Sequence, residues 1–205
     1  MKNSYGCFLI SGIFFLLVLG GCGSTQPSRF YTIDSVGNHE VENQSVPADY
    51  NISVSIGPVD IPDYLDRPQI VSRTSQNELS LSEFDRWAGS LKDDIVRVLS
   101  ENLTNLLSQN SVFVSPWGRG IVSDYQVTIN IRRFDAMPEG NVLLNAQWTI
   151  IGKEGTQILR MRESFITESM SAQTYSAKVS AMSGALEKLS RDIAEEIKAV
   201  SKKNT

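Results

Sequence analysis

The stretch YQVTINIRRFDAMPEGNVLLNAQWTI, residues 125–150, carries the clearest fold signal in the sequence. Its first seven residues alternate apolar and polar side chains, which is the period of a strand with one buried face. Pro138 to Asn141 are residues typical of a turn, and the alternation resumes beyond them as far as Ile150. The stretch therefore predicts two antiparallel strands joined by a short connection.

Two further elements are predicted on the C-terminal side. A turn at residues 152–155 leads into a third strand, from Ile158 to Thr167, so that three consecutive strands form an antiparallel meander. From Tyr175 to Val200 apolar residues recur at steps of three and four, the spacing of an amphipathic helix. We expect this helix to pack on the sheet. A coiled coil with a partner is the alternative, although its apolar seam would span only about three heptads.

The N-terminal half adds one helix and several strands. Ser90 is suited to cap a helix whose apolar face runs from Leu91 to Leu107. Strands are predicted at 29–34, 51–61, 69–73, 78–81 and 112–115, and a polar loop at 35–50. In the first strand we expect Phe30 or Tyr31 to face inward. The predicted fold class is α+β, with a mostly antiparallel sheet and two amphipathic helices packed on one face.

The N-terminus has the three-part layout of a secretory signal. Lys2 supplies a positive charge, an apolar run extends from Phe8 to Leu19, and two glycines follow. A bilayer core needs about 20 apolar residues, so this run is too short to span a membrane. Cys22 comes directly after the glycines, and the sequence LGGC resembles the lipobox of bacterial lipoproteins. The resemblance implies that residues 1–21 are a cleaved signal peptide and that Cys22 receives S-diacylglycerol and N-acyl groups such as palmitate.

An acylated Cys22 would place the remaining chain at a membrane surface. Several acyl chains anchor a protein stably, whereas one binds only marginally. We expect residues 22–28 to form the acylated cysteine and a short tether, and residues 29–205 to form a single domain. Six extended residues reach about 20 Å, so this domain stays close to its membrane. Gly23 stands where an Asp would direct such lipoproteins to remain at the inner membrane, which favours the outer membrane, facing the periplasm.

Residues that would support catalysis or cofactor binding are scarce. The sequence has one histidine, His39, and two cysteines, of which Cys7 leaves with the signal and Cys22 is acylated. It contains no GxxxxGK[ST] phosphate loop and no recognisable metal-ligand spacing. The net charge of −4 provides no basic surface for nucleic acid. We therefore expect no enzyme activity, cofactor, metal or nucleic-acid partner. A carboxylate pair of glycosidase type stays open, because its members can come from anywhere in a chain.

Four segments together resemble a known family. They are RFYTID at 29–34, VDIPDYLDRPQIVSR at 59–73, the helix start at 87–91 and the closing amphipathic helix. In these segments the chain is similar to the ABC-type transport auxiliary lipoproteins, and the similarity spans nearly all of the mature chain. This resemblance implies a partner, namely an MCE-domain protein that spans the periplasm together with its inner-membrane permease or ABC transporter. It also implies a role in moving lipids between membranes.

The most specific part of the resemblance is Tyr64 to Val71. Tyr64, Leu65, Asp66 and Arg67 are candidates for an exposed rim that contacts the partner. The alternative is structural, with Tyr64 and Leu65 buried and an ion pair between Asp66 and Arg67 at a turn before Pro68.

Two functions remain as the main hypotheses at this point, and a periplasmic enzyme is a third and weaker one. The first is an outer-membrane lipoprotein, monomeric or homo-oligomeric, that docks on or caps a lipid transport assembly and so supports membrane integrity. The second is a lipid carrier with an internal apolar cavity, lined by large inward residues such as Trp148, Ile150 and Phe165. Lipid that co-purifies with a monomer would favour the carrier. A stable complex with an MCE-type protein, or a ring of copies, would favour docking.

Overall fold

The computed structural model describes residues 26–35, 53–107, 112–114, 123–153 and 155–203. The predicted signal peptide, Cys22 and most of the predicted loop at 35–50 lie outside these ranges. Within them eight strands and two helices follow one another along the chain. They are β1 (Arg29–Tyr31), β2 (Val54–Asp60), β3 (Gln69–Ser75), β4 (Glu78–Trp87), α1 (Leu91–Leu107), β5 (Val112–Val114), β6 (Tyr125–Ala136), β7 (Asn141–Gly152), β8 (Ile158–Ser169) and α2 (Tyr175–Lys203).

All eight strands belong to one sheet, and β6 is its central strand. Along one edge β6 pairs with β7, which pairs with β8, and both pairings are antiparallel. The predicted meander is therefore confirmed. The other edge of β6 is shared between β2, parallel over residues 125–130, and β3, which is parallel to β6 at Ala136. Beyond these, β5 pairs with β2, β4 pairs with β3, and β1 pairs with β4.

The fold class is α+β, as predicted, but the sheet is mixed. Four strand pairings are parallel: β1 with β4, β2 with β5, β2 with β6, and β3 with β6. Each joins strands that are far apart in the sequence, and no local turn signal marks such pairings. Most residue pairs of the sheet are antiparallel, as predicted, because β6, β7 and β8 pair along their length.

Both helices are amphipathic and pack against the sheet. At the start of α1, the Ser90 hydroxyl accepts a hydrogen bond of 3.2 Å from the Asp93 backbone N–H, which confirms the predicted cap. The helices contact each other, and α2 also packs on β6, β7 and β8. Among the largest fully buried side chains between these layers are Trp148, Phe134, Leu99, Leu103, Leu144 and Leu186. Within the described residues, neither helix combines the length and apolar composition needed to cross a membrane.

Phe165 points away from the core, contrary to prediction, whereas in β1 the residue that packs against the core is Tyr31, one of the two that were expected to do so. Phe165 is 73 % exposed, because its register partner Asn145 lies on the opposite face of the sheet from Trp148. Its neighbours Ser164 and Ile166 are the inward residues of β8. Phe30 is 64 % exposed, and Tyr31 is the half-buried residue of β1. Phe165 therefore does not line an interior cavity, as the carrier hypothesis expected.

Phe165 belongs to the face of β6, β7 and β8 that lies opposite α2, which we call the open face. Strand alternation and register place one row of side chains from each of these strands on it. Within the described ranges no helix covers the open face, since α2 packs on the side of Trp148 and Ile166.

Candidate functional site

The segment Tyr64 to Arg67 forms a tight turn between β2 and β3. The Leu65 N–H donates to the Pro62 carbonyl oxygen at 2.9 Å, and the Arg67 N–H donates to the Leu65 carbonyl oxygen at 2.9 Å. Leu65 is 3 % exposed and belongs to the hydrophobic core. The core thus fixes the middle of the turn, and the flanking residues take their positions from it.

Leu65 is buried, as the structural alternative expected, and Tyr64 is half-buried, whereas Asp66 and Arg67 do not follow that alternative. Both charged side chains are exposed, and no ion pair joins them to each other or to any other residue that the structure describes. The predicted pairing at the turn is therefore absent within the described part of the chain. The turn instead presents one free carboxylate and one free guanidinium on a backbone that is held in place from beneath.

Tyr64 is held by a buried carboxylate that the sequence analysis did not identify. Asp135, in β6, is fully buried and accepts a hydrogen bond of 2.8 Å from the Tyr64 hydroxyl. Its carboxylate also accepts from Nε of Arg73 at 3.2 Å and from Nε of Arg133 at 3.0 Å. The Arg73 guanidinium lies 5.8 Å from the centre of the Tyr64 ring. We call these four residues the Asp135 cluster.

Electrostatics keep the Tyr64 hydroxyl protonated. Burial is the main cause that raises the pKa of Tyr64 to about 12, and the hydrogen bond to Asp135 adds to it. Tyr64 therefore acts as a neutral donor, so the positive charge of the cluster comes from its two arginines. Two guanidiniums facing one carboxylate leave an excess of one positive charge within the cluster.

A bulge in β6 brings Arg133 into the cluster. The register of β6 with β7 shifts between Ile131 and Arg133, so the strict alternation of side chains is interrupted there. Arg132 contacts Gln147 and Glu163 at 2.8 Å each, and Arg133 contacts Asp135, so consecutive arginines reach the open face. In the sequence, two adjacent arginines inside an alternating strand are the signal that could have indicated the bulge.

A second cluster surrounds Asp85 in β4. Asp85 is 4 % exposed and accepts hydrogen bonds from Arg29 Nε at 2.8 Å, the Tyr31 hydroxyl at 2.9 Å and the Ser82 hydroxyl at 2.9 Å. Burial alone would raise the pKa of Asp85, but the hydrogen bonds from Arg29, Ser82 and Tyr31 outweigh it and hold the pKa below its usual value. We call Asp85, Arg29, Tyr31 and Ser82 the Asp85 cluster.

The Asp85 cluster attaches the first strand to the rest of the domain. β1 is only three residues long and pairs with β4 alone, so its backbone contacts are few. Arg29 and Tyr31 are two of those three residues, and both donate to Asp85. Side-chain hydrogen bonds thus fix the strand that directly follows the predicted tether.

Lys178 of α2 lies close to the Asp85 cluster. Its ammonium group donates to the Ser72 hydroxyl and sits 4.1 Å from the centre of the Tyr175 ring. Burial lowers the pKa of Lys178, and the charge of Asp85 opposes that shift in part. The Tyr31 and Tyr175 rings, 6.5 Å apart, join β1 to the start of α2.

The described residues show no arrangement that would bind a metal ion through three or more His, Cys, Asp or Glu side chains. The two buried carboxylates are each occupied by arginine and tyrosine donors rather than left open toward solvent. In both clusters the carboxylate is thus fixed by hydrogen bonds from neighbouring side chains. Cys22 lies outside the described residues, so its acylation stays a prediction.

The fold and the segments noted in the sequence, at residues 29–34 and 59–73, agree with one known family. The family model for the ABC-type transport auxiliary lipoprotein component matches residues 31–194. The chain belongs to this family, and the resemblance found in the sequence is confirmed.

Its relatives include the intermembrane transport lipoprotein PqiC of Escherichia coli strain K12, which is 25 % identical over 184 residues, covering 89 % of this chain and 93 % of PqiC. PqiC of Shigella flexneri matches to the same extent. The crystal structure of protein XCC0632 from Xanthomonas campestris superposes with a TM-score of 0.70 at 16 % identity, covering 87 % of this chain and 100 % of that one. A second crystal structure, of an uncharacterized protein, gives a TM-score of 0.68 at 19 % identity, covering 84 % and 99 %. These two structures support the fold.

Proposed function

We propose that this protein is a lipoprotein component of an MCE/ABC-type intermembrane lipid transport system, anchored in the outer membrane through Cys22 and facing the periplasm. In this role it docks on or caps the periplasm-spanning partner and supports membrane integrity. The family to which the chain belongs is one of transport auxiliary lipoproteins, and PqiC carries intermembrane transport in its name. Both support a transport role, and the lipobox-like LGGC supports the anchor.

The observation that carries the docking proposal is the turn at Tyr64 to Arg67. Tyr64 is fixed to buried Asp135 and Leu65 is fixed in the core, so Asp66 and Arg67 are presented on a rigid support. Exposed charges on a preorganised turn lose little conformational freedom on binding, which favours specific recognition of a partner. The tether reaches only about 20 Å, so the domain itself cannot cross the periplasm and instead meets an assembly that does.

Charge reversal at Arg67 tests the docking surface. We expect Arg67→Glu to reduce co-purification of the MCE-type partner from cells by about tenfold or more, because a like charge replaces a complementary one at the contact. The Arg67 side chain is exposed and has no ion pair within the described residues, so the free energy of unfolding should change by no more than about 0.5 kcal/mol. Arg191→Glu, on the exposed side of α2, is the matched control and should keep the partner. If Arg67→Glu co-purifies the partner as well as wild type does, this turn is not the docking surface.

Substitution at Gly23 tests the membrane assignment. We expect Gly23→Asp to move the acylated protein from outer-membrane to inner-membrane fractions in a density gradient, while Cys22→Ser should release it from both. Mass spectrometry of the N-terminal peptide reports whether Cys22 carries the acyl chains. Wild-type protein that sediments with the inner membrane would contradict the proposed location.

A further inference from the structure

The Asp135 cluster holds more positive charge than its carboxylate neutralises. Asp135 is fully buried, and Arg73 and Arg133 both donate to its Oδ1, at 3.2 and 3.0 Å. The third donor, Tyr64, is neutral. Two guanidiniums next to one carboxylate attract a further anion, provided that they can still reach it.

Both arginines retain donors that could serve such an anion. Arg73 uses Nε and Nη1, the latter for the Gln76 carbonyl oxygen at 2.9 Å. Arg133 uses Nε and also Nη2, which contacts the Met137 sulfur. In the part of the chain that the structure describes, Nη2 of Arg73 and Nη1 of Arg133 make no hydrogen bond. The two side chains are 16 % and 29 % exposed, so an approaching anion can reach them.

An apolar surface adjoins these arginines. Arg133 is the register partner of Asn145, which is in turn the partner of Phe165, so the three side chains form one row across the open face. In the neighbouring row Asp135 pairs with Leu143, which is half-buried. The Phe165 ring is 73 % exposed and lies on the adjacent strand, diagonal to this leucine, whose own register partner is Thr167. The Arg133 guanidinium and the exposed Phe165 ring thus lie on the same face of the sheet, two strands apart, with Asn145 between them.

We propose that Arg73, Arg133, Leu143 and Phe165 bind an anionic phospholipid, with its phosphate at the guanidiniums and its glycerol and first acyl carbons on Phe165 and Leu143. The charge excess complements a phosphate, and guanidinium groups match phosphate oxygens in a bidentate manner. The exposed Phe165 ring can contact the apolar part of a lipid. An inorganic phosphate ion has no apolar part and would leave the ring uncovered. The assignment of the lipid as transport cargo rests on the proposed function.

Titration with a short-chain lipid tests this site. The full-length acylated protein, held in neutral maltoside micelles, is titrated with dihexanoylphosphatidylglycerol, and binding is followed by calorimetry. Inorganic phosphate and dihexanoylphosphatidylcholine are the comparison ligands. We expect Arg133→Gln to weaken phosphatidylglycerol binding by about tenfold, the effect of one lost charge-assisted hydrogen bond. We expect Phe165→Ser to weaken it by about fivefold, through lost apolar contact.

Two matched variants control for nonspecific effects. Arg191→Gln removes an exposed guanidinium from α2, and Ile158→Ser removes an exposed apolar side chain from the start of β8. Both should bind phosphatidylglycerol as wild type does. If Arg133→Gln does not fold, as judged by its thermal unfolding, Arg133→Lys replaces it, and the exposed Phe165→Ser variant decides the apolar half of the site.

Several outcomes would overturn the phospholipid site. Inorganic phosphate binding as tightly as phosphatidylglycerol would mean a simple anion site. Unchanged binding in both Arg133→Gln and Phe165→Ser would place the lipid elsewhere. Loss of the partner protein from these two variants with unchanged lipid binding would make the open face a protein-docking surface. The proposed function fails separately: if Arg67→Glu keeps its partner while the lipid titrations behave as expected, the docking turn is wrong and the lipid site stands.

Discussion

The Asp135 cluster and the Asp85 cluster each surround a buried carboxylate, and both contain the same kinds of donor residue. Asp135 is fully buried and Asp85 is 4 % exposed. Each accepts a hydrogen bond from a tyrosine, at 2.8 Å from Tyr64 and at 2.9 Å from Tyr31. Each also accepts from arginine Nε atoms. In both clusters a strand of the sheet supplies the carboxylate and one donor close to it in the sequence, Arg133 or Ser82, and distant segments supply the other donors.

The two clusters differ in charge and in exposure. Asp85 has one arginine, Arg29, which is 57 % exposed, and it is also bound by Ser82, so the cluster is neutral. Asp135 has two arginines, which are 16 % and 29 % exposed, so the cluster is positive. The neutral cluster secures a strand, whereas the positive cluster supports a turn and leaves donors on the open face. Similar parts thus give a structural clamp in one place and a candidate binding surface in the other.

Removal of the Asp135 charge should have the largest effect on the free energy of unfolding. We expect Asp135→Asn to lower the free energy of unfolding by about 3–5 kcal/mol, because two guanidiniums lose their counter-charge in a buried place and one amide N–H now faces their donors. Urea unfolding followed by circular dichroism measures this. Asp66→Asn, an exposed carboxylate without an ion pair within the described residues, is the control and should change the free energy by no more than about 0.5 kcal/mol. A loss below about 1 kcal/mol for Asp135→Asn would contradict the central role given to this carboxylate.

A smaller effect is expected at Asp85. Asp85→Asn should destabilise the protein less than Asp135→Asn, because the mostly exposed Arg29 can exchange its lost partner for water. The variant should also alter the response to acid. The pKa of Asp85 is lower in the folded state than its unfolded value of about 3.9, so its contribution to stability is present above pH 4. That contribution is lost as the pH falls through the folded pKa.

Unfolding measured from pH 7 down to pH 2 checks the Asp85 prediction. The difference in stability between wild type and Asp85→Asn should be constant near neutrality and should shrink below about pH 4. Ser82→Ala, which removes one donor and keeps the carboxylate, should retain part of the acid dependence, because Arg29 and Tyr31 still donate to Asp85. A difference that stays the same down to pH 2 would show that the charge of Asp85 does not stabilise the fold.

Most of the secondary structure could be predicted from the sequence, whereas neither the Asp135 cluster nor the Asp85 cluster could. Period-two alternation located β6 and β7, and the three-and-four spacing located α1 and α2, because these signals are local. The parallel pairing of β2 with β6 joins segments some 70 residues apart, and no local pattern encodes it. The Asp135 cluster has the same difficulty, since Tyr64 comes from 71 residues earlier in the chain than Asp135. The family resemblance pointed to the segment that contains Tyr64. Its acceptor, Asp135, is identified only by the structure.

The misplaced Phe165 has a different cause. Apolar character alone predicted that this ring faces the core, yet period two assigns the inward positions of β8 to Ser164 and Ile166. Ser164 is buried because its hydroxyl accepts from Trp148 Nε1 at 3.0 Å and donates to Asp192 at 2.7 Å. The strand's alternation thus places a polar residue inward and an aromatic residue outward, a pattern that apolarity alone conceals.

The two tyrosines provide the finest comparison between the clusters. Tyr64→Phe removes only the hydroxyl that binds Asp135, and we expect it to lower the free energy of unfolding by about 2 kcal/mol, the usual value for a hydrogen bond to a charged group. Tyr31→Phe should lower it by about 1 kcal/mol, because water can reach Asp85 beside the exposed Arg29 and replace part of the lost bond. Urea unfolding at pH 7 measures both.

The free energy of unfolding at alkaline pH distinguishes the hydrogen bond of the Tyr64 hydroxyl from effects of packing. Because the pKa of Tyr64 is raised above its unfolded value of about 10, its contribution is fully present below pH 10 and is lost as the pH rises through about 12. The difference between wild type and Tyr64→Phe should therefore diminish above pH 10. Equal losses for the two tyrosine variants at pH 7 would mean that the positive cluster is no better shielded from water than the neutral one, and the rigid support proposed for Asp66 and Arg67 would lose its basis.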